Sequence, residues 1–210
     1  MSALGRDSMV ERLAKGELVV SPLLSEDQIG ASSIDLRMGT VVLMARAGNR
    51  SHVDPAAYKV PDDYAGIESR KQKHERFDVP FHRSFLLHPG SLALVPTLEW
   101  VRLPRSLQGV VTARSSWARE GLNIATATII NPSYQGIITL ELANFGEIPI
   151  RLFPGLRIAQ IAFYELIRSS VGIHEVQTEK SQFDLAFEPE AGNISKRDGK
   201  FIPEKLDGET

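Results

Sequence analysis

A chain of 210 residues with a formal net charge of −2, 42% hydrophobic and 24% charged, has the length and balance of one globular domain with a sizeable core. The slightly acidic balance argues against a general nucleic-acid coat, although a local basic pocket can still hold one polyanionic small molecule. With no cysteine there is no disulfide, no thiol nucleophile and no thiolate zinc site, which excludes the paired-cysteine centre of a zinc nucleobase deaminase.

The first sixteen residues are polar and mixed in charge, with no apolar signal core, and no run reaches membrane-spanning length, so a cytoplasmic enzyme is expected. Ser8-Met9-Val10-Glu11 has capping-box spacing, Val10, Leu13 and Ala14 form an apolar stripe, and Gly16 can end it: a short N-terminal helix. Short strands are expected over 33–43 and 91–95, with a turn at Pro89-Gly90. The intervening stretch 49–83 is charged and weakly periodic, and reads as an arm reaching toward a partner. Its His52, His74 and His82 lack any HxxxH-like spacing and read as scattered loop histidines. Further strands are expected over 108–112, 136–143, 148–153 and 156–165, separated by Asn-Pro, Asn-Phe-Gly and Pro-Gly breakers. Many short strands at this spacing predict a mainly β fold, a sandwich or closed barrel. The tail 177–210 is rich in Lys, Glu, Asp and Gly and is expected to be a mobile segment able to close over a ligand. A single domain, 1–210, is expected.

Chemistry concentrates between residues 112 and 163. Ala113-Arg114-Ser115-Ser116-Trp117-Ala118-Arg119 places two guanidinium groups and two hydroxyls within a short stretch. Arginine forks suit phosphate oxygens, and hydroxyls with backbone N–H groups complete such a cradle. The same string is also an ordinary solvated helix start. Asn131-Pro132-Ser133-Tyr134-Gln135-Gly136 is a tight turn feeding an apolar strand that carries Glu141. By alternation Glu141 either faces solvent or sits in a partly dry pocket, and the second placement would raise its pKa toward that of a general base.

Together these strings resemble the dCTP deaminase family. Residues 113–122 are similar to its phosphate-cradle motif GRSSLARLGL, residues 136–144 to its strand ending in a catalytic Glu, and residues 154–160 to its PGMxIxQ turn. Upstream, residues 31–39 resemble ASSxDLRLG, and His88-Pro89-Gly90 resembles LHPG. The five pieces run collinearly from about Met9 to Phe163. The resemblance implies a jelly-roll-like, distorted β-barrel of the dUTPase type, assembled as a homotrimer with shared active sites. It implies hydrolysis of dCTP to dUTP and ammonia without zinc, with Mg²⁺ carried on the triphosphate. Glu141 would be the general acid/base, Ser115 and the Ala127 carbonyl would position the water, and Arg119 would stabilise charge. Arg114, Ser116 and Gln160 would meet the triphosphate, with Trp117 and Ala118 completing the cradle segment. Asn131 and Tyr134 would lie beneath the deoxyribose, Thr139 and Leu140 would flank the ligand along the Glu141 strand, and Lys180 and Gln182 would belong to the lid. No nucleic acid or membrane is implied.

Three departures from the family pattern matter. Asn131 stands where an Asp is usual, which weakens a triphosphate-cleaving reading while leaving a hydrogen bond to a 3′-hydroxyl. Residues 126–130 lack a His/Trp-Arg pair, and the tail matches the lid string only loosely. The alternatives are a bifunctional deaminase giving dUMP, a plain dUTPase, or a catalytically idle nucleotide-binding regulator.

Overall fold

The computed structural model describes residues 2–45, 53, 74–124, 128–167, 185–189 and 192. The first half holds β1 (Ser2–Ala3), α1 (Arg6–Ala14), β2 (Val19–Ser21), a 3-10 turn (Glu26–Gln28), β3 (Ile34–Arg37) and β4 (Val41–Ala45). There follow β5 (His74–Asp78), β6 (Phe85–Leu87), β7 (Leu92–Arg102), β8 (Leu107–Ala113) and α2 (Ser115–Arg119). The chain continues through β9 (Leu122–Ile124), β10 (Ile129–Ile130), β11 (Gln135–Asn144), β12 (Ile150–Leu152) and β13 (Arg157–Glu165).

The fold is mainly β, as expected, and antiparallel. One sheet runs β1-β13-β8-β10 with β3 also on β13. A second runs β5-β4-β7-β11-β9 with β2 also on β7. β6 and β12 form a separate pair. Period-two patterning drives this arrangement. Ile34 and Leu36 of β3, Leu107 and Val111 of β8, and Ile161 and Phe163 of β13 point inward. They join Ala93, Val95 and Val101 of β7 and Ile138, Leu140 and Leu142 of β11 in one apolar core. Polar residues alternate outward, and the two outer faces carry the residues of interest.

Several boundaries differ from expectation. The helix starts at Arg6 with Gly5 as N-cap and no side-chain cap, so Ser8 lies inside the first turn rather than before it. Met9 and, in part, Leu13 face the core, while Val10 and Ala14 point outward. The expected strand over 33–43 is two strands, broken at Gly39, where an added Cβ would lie 2.9 Å from the Pro96 ring. The expected strand over 91–95 continues through Pro96 to Arg102. Pro96 is tolerated because it sits where the β7–β11 register shifts, and Ile138 N–H donates there to Thr97 Oγ1 at 2.9 Å. Most of the expected arm over 49–83 and of the tail over 177–210 lies outside the described residues. Among the described residues no helix is long and apolar enough to cross a membrane.

A buried clamp fixes β3 against β7. Glu99 is fully buried: its carboxylate accepts from Arg37 N–H at 2.8 Å, Arg37 Nη1 at 3.1 Å and Gln28 Nε2 at 2.9 Å. Gln28 Nε2 also donates to the Asp35 carbonyl at 2.8 Å. Burial pushes the Glu99 carboxyl up, while Arg37 and Gln28 pull it back down.

Candidate active site

The segment expected to form the cradle begins where β8 leaves its sheet. Arg114 N–H still donates to the Ile158 carbonyl at 3.0 Å, and the extended backbone of Arg114 then turns the chain into α2. This sends the Arg114 side chain back over β3 and β13. Its Nε lies 3.3 Å from Asp35, and its Nη1 donates to the Arg157 carbonyl at 3.4 Å. The Trp117 indole N–H reaches the same carbonyl at 3.0 Å. Arg157 in turn pairs with Asp27 at 3.0 Å and with Asp35 at 3.5 Å.

Beneath this ion cluster the register aligns Asp35, Gln160 and Thr112 side by side across three strands on the outer face of the first sheet. Gln160 Nε2 donates to Thr112 Oγ1 at 3.2 Å, and Ser33 Oγ donates to Gln160 Oε1 at 3.2 Å. Burial holds the Asp35 carboxyl above the ordinary range even though Arg114 and Arg157 both pull it down. At the rim, the hydrogen bond from Ser25, then that from Arg157, lowers the Asp27 carboxyl. Ser115, Ser116, Ala118 and Arg119 lie exposed on α2.

Glu141 belongs to the second sheet. Its neighbours Leu140 and Leu142 are fully buried inward, so alternation puts Thr139 and Glu141 on the outer face. That face is not simply wet. Leu94 of β7 stands directly opposite Glu141, and Leu43 of β4 stands next in the same row. The carboxyl is therefore partly buried, and burial raises its pKa. Of the two placements the sequence left open, the strand takes features of both: outward by alternation, shielded by an apolar row.

The turn before β11 is closed by Tyr134 N–H donating to the Asn131 carbonyl at 3.2 Å, with Ser133 at positive φ. Asn131 is exposed, whereas Tyr134 is buried with its hydroxyl donating to the Ile137 carbonyl. A piece of the tail docks against this turn. Leu185 N–H donates to the Gln135 carbonyl at 2.7 Å and Ile137 N–H to the Ala186 carbonyl at 3.0 Å, while Glu188 pairs with Arg76 at 2.6 Å. Gly136 makes room for it, since an added Cβ would lie 3.1 Å from Ala186 N.

The structure thus gathers the sequence-predicted residues into two groups. Arg114, Trp117 and Gln160 share one cluster, together with Asp35, Arg157, Ser33 and Thr112, to which the sequence alone assigned no role. Thr139 and Glu141 lie on the other sheet, and Asn131 and Tyr134 lie in the turn that leads from β10 into it. The Leu140 side chain faces the core, so only its backbone can meet a ligand. Ala127, Lys180 and Gln182 lie outside the described residues. Between α2, β8 and β9 opens a cleft of roughly 220 Å³ lined by Thr112, Ala113, Ala118, Asn123, Thr128 and Phe145 among others. Among the described residues no group of three or more His, Asp or Glu is placed to hold a metal ion.

Comparison with known proteins places the chain in a family. Residues 3–166 match the family model described as dCTP deaminase-like. A Methanobrevibacter smithii protein named dCTP deaminase, dUMP-forming, is 31% identical over 92% of this chain and 96% of its own length. A Halorubrum lacusprofundi protein named dCTP deaminase is 41% identical over 75% of this chain and 74% of its own. The crystal structure of a 2′-deoxycytidine 5′-triphosphate deaminase from Agrobacterium tumefaciens shares the fold with a TM-score of 0.57 at 23% identity, over 77% of this chain and 47% of that one. This chain therefore spans about half the length of the Agrobacterium protein.

Proposed function

The chain belongs to the dCTP deaminase-like family, and on that premise we propose that it hydrolyses dCTP to dUTP and ammonia. The observation that carries the reading is Glu141: a carboxyl on a rigid strand, raised by burial and faced by leucines, fits a group that must both take and give a proton. In the reaction Glu141 accepts a proton from water as its oxygen bonds to C4 of cytosine. It then delivers a proton to the exocyclic nitrogen, which leaves as ammonia when the C4–N bond breaks. Ser115 and the Ala127 carbonyl hold the water, and Arg119 offsets charge that builds up on the ring.

Arg114, Ser116 and Gln160 bind the triphosphate, with Trp117 and Ala118 shaping the cradle. Asn131 and Tyr134 support the deoxyribose, Thr139 and the Leu140 backbone meet the base, and Lys180 and Gln182 close from the tail. Mg²⁺ would accompany the triphosphate as its counter-ion. Two carboxylates of the ion cluster around Arg114, Asp27 and Asp35, are tied to Arg157 and Arg114, which fits a metal carried by substrate rather than by the protein. The chain has no cysteine for a thiolate zinc site, and in this reading Glu141 activates the water.

The cradle and Glu141 sit on different sheets, and this supports a homotrimer in which one copy's cradle serves another copy's Glu141. The end of the molecule around Asn144 supports it as well. Asn144 Nδ2 donates to the Leu87 and Ile148 carbonyls at 2.8 and 2.9 Å, holding a turn that leaves Phe145 and Ile148 more than 70% exposed. Leu86 and Leu92, also exposed, extend this apolar surface, which a partner copy would cover.

The second reading, dUMP formation, is favoured by the Methanobrevibacter relative's name and opposed by Asn131, which offers no carboxylate to orient a water for phosphate cleavage. Incubation with Mg²⁺ and dCTP, with products separated by chromatography, decides. dUTP and ammonia are expected. dUMP with pyrophosphate establishes the bifunctional reading, and unchanged dCTP leaves a regulator that binds without turnover.

A further inference from the structure

The ion cluster on the first sheet has an order of depth. The Asp35 side chain is 13% exposed, against 35% for Arg114 and 34% for Arg157, so the carboxylate lies beneath both guanidinium groups. It takes Arg114 Nε with one oxygen and Arg157 Nη1 with the other. The Arg157 carbonyl receives both Arg114 Nη1 and the Trp117 indole N–H, and the far end of Arg157 is tied to Asp27. A guanidinium carries five N–H donors. Those of Arg114 not taken by Asp35 and the Arg157 carbonyl have no partner among the described residues.

Resting on the assignment of Arg114 to the triphosphate, we propose that Asp35 is a positioning residue for substrate binding. With the Arg157 carbonyl it holds the inner edge of the Arg114 guanidinium, so that the remaining donors are set for phosphate oxygens before the nucleotide arrives. Two opposed effects meet at this residue. As a bare charge, Asp35 repels a polyanion, and its removal would tighten binding. As a brace, it orders a long side chain in advance, and its removal weakens binding by roughly 2- to 12-fold. The brace dominates because Arg114 and Arg157 both lie against the carboxylate and offset its charge.

The test is titration of dCTP and dCMP, each with Mg²⁺, onto the full-length wild type, Asp35→Asn, Arg114→Ala and the double variant, with kcat and KM measured beside it. Asp35→Asn is expected to weaken dCTP binding by about 3- to 10-fold. KM should rise in step, kcat should change by less than about twofold, and the preference for dCTP over dCMP should fall. In the Arg114→Ala background the same change should add nothing. Asp35→Glu, which keeps the carboxylate, should recover part of the loss. Equal or tighter binding by Asp35→Asn, or additive losses in the double variant, overturns the proposal. If Asp35→Asn does not fold, Trp117→Phe removes the indole donor to the Arg157 carbonyl while keeping an aromatic ring. It should give a smaller loss in the same direction that vanishes without Arg114, and a loss that persists overturns the proposal. A wild type that does not bind dCTP overturns the deaminase reading itself, and the positioning role with it. A wild type that binds while Asp35→Asn matches it overturns the positioning role alone.

Discussion

Replacing Glu99 with Ala tests the clamp that seats β3, and with it the strand bearing Asp35. Three donors converge on the Glu99 carboxylate: the Arg37 N–H, Arg37 Nη1 and Gln28 Nε2. Gln28 would retain its bond to the Asp35 carbonyl, but the Arg37 guanidinium, buried beside Glu99, would lose its counter-ion. Removing one partner of a buried ion pair destabilises by about 3–5 kcal/mol, because the other charge stays buried and uncompensated. For a chain of this length each kcal/mol lowers Tm by about 2–4 °C, so a fall of roughly 6–20 °C is expected. Glu99→Gln keeps one acceptor and should lose less, about 1–3 kcal/mol. Urea unfolding at fixed protein concentration measures both, since the proposed assembly would make apparent stability depend on concentration. A loss under about 1 kcal/mol for Glu99→Ala, where 3–5 is expected, would show that Arg37 reaches water or another partner and that the clamp is not what holds β3.

The raised Glu141 carboxyl predicts two pH effects of definite sign. Activity that requires ionised Glu141 should fall with acid through a midpoint above the ordinary 4.5, read from kcat/KM against pH. A carboxyl raised in the folded state favours folding while protonated and loses that advantage as pH rises through the folded value. Glu141→Gln should therefore gain stability over wild type at neutral pH, a gain that disappears below about pH 4.5, seen as a pH-dependent Tm difference. Gly121 has φ +88, and an added Cβ would lie 2.6 Å from Gly146 N, so Gly121→Ala should destabilise by about 1–3 kcal/mol in thermal melts and loosen α2. Phe145→Glu should shift light scattering from three times the chain mass toward one, with activity lost in parallel if sites are shared.

The β class and most long strands were legible because alternation is a local signal, plain in β8, β11 and β13. Glu141 between Leu140 and Leu142 could be placed on a face from that pattern alone. Its degree of burial could not, because it depends on Leu94 and Leu43 from two other strands. The strand expected over 91–95 runs on through Pro96, a residue that ordinarily breaks a ladder. What rescues it is the Thr97 hydroxyl meeting Ile138 across the register shift, a tertiary fact. The string around Arg114 was readable, but the contacts of Arg114 with Asp35 and Arg157 come from distant strands. Glu99 gave only the weak signal of a carboxylate in the apolar run Leu98-Glu99-Trp100. The docking of Leu185 and Ala186 on the β11 turn left no local signature.

The central claim is that Glu141 moves the protons of the deamination, and Glu141→Gln assayed for ammonia release beside isothermal titration with dCTP tests it most directly. Glutamine keeps the size of the side chain and can neither accept nor donate the proton. A general acid–base group contributes roughly 10²–10⁴-fold in rate, so a loss of at least about that size is predicted while dCTP still binds through Arg114, Ser116 and Gln160. A Glu141→Gln protein that binds dCTP and releases ammonia at near wild-type rate would contradict the account at its centre.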